Sequence, residues 1–146
     1  MLDQLKDVFA SFQKHDVKYV VIGGIASVLY GVPRATFDLD ILIKADLQNA
    51  RRLLDALLDA QLGTAGLSSP EELLKHEITI FEDRIRIDVQ SFTPGLNFKD
   101  AWKNKVTMEY HGQSFFIVSK SDLIKSKSAT GREVDLKDVQ ILREND

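Results

Sequence analysis

Apolar residues recur at helical spacing from the start of the chain. Leu2, Leu5, Val8, Phe9 and Phe12 share one face and predict an amphipathic helix over 2–14. A β-branched run over 17–22 predicts a short buried strand. Gly23-Gly24 ends that run, and 25–30 predicts a short helix closed by Gly31. Apolar and polar residues then alternate over 37–43, the pattern of a second strand. Asp46 stands at the N-cap of a helix whose Leu47, Ala50, Leu53, Leu54, Leu57 and Leu58 make one broad apolar face. Residues 63–69 are expected to form a loop, and Pro70-Glu71-Glu72 suits the first turn of a short helix.

The second half is richer in strands. Residues 77–81 and 84–90 alternate around Glu82-Asp83 and predict a hairpin, although those two residues are not favoured turn formers. Asn97 caps a short helix running to Trp102, and 106–110 with 113–118 form another hairpin around His111-Gly112. Ser119 or Ser121 opens a helix that ends near Gly131, and a last helix carries Val134, Val139 and Leu142. The sum is a single α/β (α+β) domain over 1–146: a mixed sheet flanked by helices, two of them C-terminal.

Composition narrows the possibilities. With no cysteine, a disulfide scaffold, an iron–sulfur protein and a thiol enzyme are all excluded. The longest stretch without charge, 19–33, is broken by three glycines and is too short to span a bilayer. No basic segment leads into an apolar run at the N-terminus, so the chain reads as cytoplasmic, with no membrane partner. A net charge of −3 lends no support to non-specific nucleic-acid binding.

The strand over 37–43 carries the chemistry. Alternation puts Phe37, Leu39, Ile41 and Ile43 on one side and Asp38, Asp40, Leu42 and Lys44 on the other. The Cα atoms of Asp38 and Asp40 are then about 6.5–7 Å apart. Carboxylates converging to about 5 Å repel by roughly 3 kcal/mol at an effective dielectric of about 20, so a cation must offset them. A divalent ion does this with oxygen ligands, Mg²⁺ in particular combining one or two carboxylates with phosphate oxygens. Solvation, or neutralisation by Arg34 or Arg86, would do it as well. The Gly23-Gly24 turn between strand and helix aims backbone N–H groups at an anion. A further alternating segment offers Arg84, Arg86, Asp88 and Gln90 on one face. If it pairs beside the first, Asp88 completes a three-carboxylate cluster; by itself it is a salt-bridge partner for Arg86.

These residues together resemble the polymerase-beta-type nucleotidyltransferase superfamily. Ile22-Gly23-Gly24, a 13-residue spacer, Asp38-Leu39-Asp40-Ile41 and the later Ile87-Asp88-Val89 follow its signature. The longer run VIGGIASVLYGVPRATFDLDILI is similar to small nucleotidyltransferase-like proteins grouped with type IV toxin–antitoxin toxins, as is DLIKSKSATGREVDLKDVQIL with Lys127, Arg132, Asp135 and Asp138. The resemblance implies two Mg²⁺ ions on Asp38, Asp40 and Asp88, an NTP substrate, and transfer of its NMP group to a hydroxyl of RNA, protein or a small molecule. It also implies nucleotide contacts from Gly23, Gly24, Arg34, Thr36 and Lys127, and a possible toxin–antitoxin partner protein. For Lys127, surface solvation is the competing expectation; for Asp135 and Asp138 the preferred one is complementing the dipole at the start of the last helix. The chain departs from the pattern at Gly24, where many active relatives carry Ser. That departure motivates a second reading, a non-catalytic or antitoxin-like partner-binding module. A third, a domain whose carboxylates are structural, requires an arginine between Asp38 and Asp40. His15, His76 and His111 are too dispersed to share a metal, and Trp102, Phe115 and Phe116 are expected to pack structurally.

Overall fold

The computed structural model describes residues 2–145. Its order is α1 (Leu2–Lys14), β1 (Tyr19–Ile22), α2 (Gly23–Leu29), β2 (Leu39–Ile43), α3 (Leu47–Asp59), a 3-10 turn (Gly63–Leu67) and α4 (Pro70–Lys75). There follow β3 (Ile78–Glu82), β4 (Arg86–Gln90), α5 (Phe98–Asn104), β5 (Val106–Tyr110), β6 (Gln113–Ile117), α6 (Lys120–Thr130) and α7 (Glu133–Glu144). The strands make one mixed sheet in the order β3-β4-β2-β1-β6-β5. Both predicted hairpins are present, as are the caps at Asp46, Asn97 and Ser119 and the left-handed Gly131 that stops α6.

Alternation assigns the two faces of the sheet. Tyr19, Val21, Leu39, Ile41, Ile43, Ile87 and Val89 point to one face, where α1 and α3 cover them and all are buried. Aromatic stacking fastens α1 to this layer: Phe9 lies 4.6 Å from Phe115, ring over ring, and Phe12 lies 4.8 Å from Tyr19. The other face carries α2 and α6 near β1, with α7 packed on α6. Over β4 and the edge strand β3 this second face is uncovered, and Ile78 and Ile80 are half exposed there. A concave opening therefore lies on the Asp40 side of the sheet, bounded by α2, α6 and the start of α7.

Several expectations need correction. The second strand begins at Leu39, so Phe37 and Asp38 lie in the approach to it, and Phe37 is 84% exposed rather than packed beside Leu39. No separate glycine turn joins β1 to α2, because Gly23, at φ +69°, is itself the first helical residue. The predicted loop after α3 contains the 3-10 turn. Leu47, Leu58 and Val134 are exposed: α3 buries a narrower stripe than its sequence offers, and Val134 sits at the open end of α7. Arg84 precedes β4 and leaves its alternation, donating instead to the Ala60 carbonyl at 2.9 Å.

Phe9 anchors α1 through one fully enclosed ring, and large-to-small changes at such sites leave a cavity. Phe9→Ala is expected to cost about 3–5 kcal/mol, read as a lowered midpoint in urea unfolding.

Candidate active site

Strand pairing builds the centre of the site. β2 and β4 run parallel with Asp40 opposite Asp88, and β1 runs antiparallel to β2 with Ile22 opposite Asp40. Two carboxylates thus project from neighbouring strands toward the same face, and β1 ends beside them. Gly23, the next residue, lies directly against Asp40. A Cβ built on Gly23 would stand 2.9 Å from the Asp40 Cβ and closer still to its Oδ2, so only glycine fits, quite apart from its positive φ. Gly24 is close-packed as well: a side chain there would meet the Thr36 hydroxyl at 2.9 Å and Arg34 Nη2 at 3.3 Å. The Thr36 hydroxyl and the Arg34 guanidinium thus crowd the space over the first turn of α2.

Electrostatics mark Asp40 as the strained member. Burial, then the charge of Asp88, then that of Asp38, push its carboxyl from 3.8 up to about 7; a hydrogen bond shared with Asp88 adds to the rise and Arg86 opposes it. Two neighbouring negative charges and burial together make ionisation of Asp40 costly, so its carboxyl holds a proton to higher pH than a solvated one. Asp88 has a stronger counter-charge. The Arg86 guanidinium, two residues earlier on the same strand face, donates to its two oxygens at 2.9 and 3.2 Å. The same Arg86 Nε stands 3.7 Å from Asp38 Oδ2. Arg86 therefore bridges Asp38 and Asp88, whereas among the described residues no guanidinium is ion-paired with Asp40. Among the described residues the carboxylates are not gathered into a ready three-ligand metal cage.

Lys127 enters from α6, and both of the simpler expectations about this region give way. It is buried, not solvated, and donates to Asp138 at 2.8 Å and Asp135 at 3.2 Å. Asp135 and Asp138 are themselves buried, so they are ion-pair partners before they are complements to a helix dipole. Arg34 reaches Asp138 at 3.2 Å, Arg132 reaches Asp135 at 2.7 Å, and the Thr130 hydroxyl donates to Asp135 at 2.6 Å. Burial alone would raise the Asp135 carboxyl; its contacts with Thr130, Lys127 and Arg132 outweigh that and hold it below its ordinary value. Three cations meet two carboxylates, which leaves a positive excess on this wall.

The structure thus places Gly23, Gly24, Arg34, Asp40, Asp88 and Lys127 on one groove of about 680 Å³. Thr36 sits behind Gly24, and Asp38 stands at the margin, held by Arg86. The ionic clasp of Arg34 and Lys127 with Asp135 and Asp138 was not deducible from spacing, because it joins positions as far apart as 34 and 138. The groove also carries Gln90, Phe92 and Val134, which no sequence motif marked.

A sheet of this order, with paired aspartates beside a strand–glycine–helix junction, defines a nucleotidyltransferase fold. Residues 2–143 match the family described as "Nucleotidyltransferase of unknown function (DUF6036)", and the chain belongs to that family. A comparison with curated proteins finds no match. Among the described residues no helix is long and apolar enough to cross a membrane.

The raised Asp40 carboxyl links stability to pH. Between about pH 4 and pH 7 the folded metal-free protein holds a proton that the unfolded chain has released. Its contribution is therefore complete below pH 4 and is lost as pH rises through 7. In EDTA, urea unfolding should show wild type losing about 2–4 kcal/mol relative to Asp40→Asn across that window, the two converging at the acid end.

Proposed function

We propose that the protein transfers a nucleoside monophosphate from an NTP to a hydroxyl acceptor with the help of Mg²⁺. The observation that carries this reading is the facing pair Asp40 and Asp88, with Gly23 seated against it and an excess of positive charge on the adjoining wall. An oxygen-only donor set suits a hard divalent cation, and the crowding of Asp40 by the charges of Asp88 and Asp38 is a repulsion that such a cation relieves. Asp38, Asp40 and Asp88 would hold the ions. Bound there, Mg²⁺ supplies Lewis-acid stabilisation of charge on the attacking and leaving oxygens.

The chain's own residues do the rest. Arg34, fixed by Asp138, and Lys127 face the β- and γ-phosphates, while the start of α2 lets them approach the backbone at Gly23 and Gly24. Thr36 presents its hydroxyl where a side chain at position 24 would otherwise stand, so it takes over a phosphate contact that Gly24 cannot make. The acceptor oxygen attacks the α-phosphorus in line, the bond to the bridging oxygen breaks, and pyrophosphate leaves. The acceptor's proton passes to Asp88. RNA, protein and small-molecule hydroxyls are the acceptor classes, and a toxin–antitoxin setting with a partner protein belongs to the same proposal.

Arg86 favours a second reading. By neutralising Asp88 and reaching Asp38, though not Asp40, it gives two of the carboxylates an internal cation, as a domain with structural carboxylates would have. Such a domain would serve as a non-catalytic or antitoxin-like partner-binding module. Under the enzymatic reading Arg86 is a stand-in that yields its place to the metal, its partly exposed side chain exchanging the Asp88 hydrogen bonds for water. Calorimetry with Mg²⁺ and a non-hydrolysable NTP separates the two: binding supports the enzyme, and its absence supports the module.

With Mg²⁺, each α-labelled NTP in turn and RNA, protein and small-molecule acceptors, label transfer is expected. It should fall at least a hundredfold in Asp40→Asn and in Asp88→Asn; transfer that survives both substitutions contradicts the site. Arg86→Met should tighten Mn²⁺ binding by roughly tenfold, read by electron paramagnetic resonance, because a competing charge has been removed. Unchanged affinity would show that Arg86 is no competitor.

A further inference from the structure

The groove is lined by two chemically different sets of residues. One is polar and cationic, Gly23, Gly24, Arg34 and Lys127; the other is apolar, Ile78, Phe92 and Val134, with Gln90 also on the lining. Ile78, Phe92 and Val134 are each 51% exposed, in contrast to the enclosed aromatic layer beneath α1. Isolated exposed apolar side chains need no explanation, but three lining one groove next to a charged centre form a patch that a ligand would cover.

Phe92 is the distinctive member, because the chain around it is pinned. Ser91 extends the β3–β4 ladder, its N–H donating to the Glu77 carbonyl at 2.9 Å and its hydroxyl to the His76 carbonyl at 2.7 Å. Thr93, on the other side, is buried. Gly95, at φ +77°, wedges against α6, where a Cβ would stand 2.7 Å from the Lys125 carbonyl oxygen. Both neighbours of Phe92 are anchored, and yet its ring is left half in water. A half-exposed ring carried on an anchored backbone stands available to a flat ligand, with little loss of main-chain freedom on stacking.

We propose that Phe92 is the stacking platform for the nucleobase of the NTP. A polyanion joined to a flat, largely apolar ring is the ligand chemistry that matches both sets of lining residues at once; a bare polyphosphate would use only the cationic set. Gln90 projects from β4 on the Asp88 side, two residues further on, and its amide offers a donor and an acceptor to the edge of a base. The groove volume, about 680 Å³, falls in the range of small-molecule sites. This inference rests on the nucleotidyltransferase reading and adds to it the residues that hold the base.

Comparing two ligands tests it. Equilibrium dialysis of the full chain with Mg²⁺, without acceptor, is carried out against each of the four NTPs and against inorganic tripolyphosphate. Phe92→Ala is expected to weaken the best-bound NTP by about tenfold or more, the usual scale for loss of a stacked aromatic, while tripolyphosphate changes less than twofold. Phe92→Trp should restore the NTP affinity, and thermal melts of each variant check that the fold is intact. Should Phe92→Ala not fold, Phe92→Leu replaces it with the same expectation. NTP binding that is unchanged, or lost in step with tripolyphosphate, overturns the proposal while leaving the catalytic reading in place. A wild-type protein that binds neither ligand overturns the nucleotidyltransferase reading itself.

Discussion

Everything at the centre of this protein depends on the repulsion between Asp40 and Asp88. Parallel pairing of β2 with β4 puts them opposite one another, and a sheet fixes such neighbours at about 4.8 Å between strands. Side chains cannot retreat far from that constraint. The remaining options are for Asp40 to keep its proton, to recruit a cation from the protein, or to take one from solution. The fold uses the first two: Asp40 is raised to about 7, and Arg86 clamps Asp88. Burial of Asp40 drives the first together with the neighbouring charges, and both are reversible in a way that a packed apolar core is not.

The opposite charge excess lies on the α6–α7 side of the groove. Lys127 is buried with Asp135 and Asp138 on α7, and Arg34 joins them from the loop before β2. Removing one partner from such a buried group leaves an uncompensated charge, so the clasp ties α6, α7 and the Arg34 loop into one unit. The same contacts that hold the last two helices together therefore keep Arg34 turned toward α2. Structure and site share these residues, and a change to Asp138 would disturb both.

Much of the fold was legible in the chain. Caps at Asp46, Asn97 and Ser119, the Gly131 stop and the alternation of both hairpins depend on neighbours a few residues away, so local spacing reports them. The elements went astray where burial decides. Phe37 alternates with Leu39 on paper, but it precedes the strand and faces water. Leu58 fits the apolar stripe of α3, but the 3-10 turn that approaches it leaves it 43% exposed. Asp135 fits a helix-dipole role by position and is instead enclosed by Thr130, Lys127 and Arg132.

The order of side chains along each strand settled which carboxylates share a face, because alternation is a property of the extended backbone alone. It also settled that glycines follow β1, and hence that a helix could begin close to an acidic strand. Which strands lie side by side was decided only in three dimensions. Asp88 reaches Asp40 because β4 pairs with β2 across 47 intervening residues, and Arg86 comes to bridge two aspartates through that same register. Burial of Lys127, the anchored backbone on either side of Phe92 and the open face over β3 likewise arise from packing between distant segments, which no local pattern of residue types encodes.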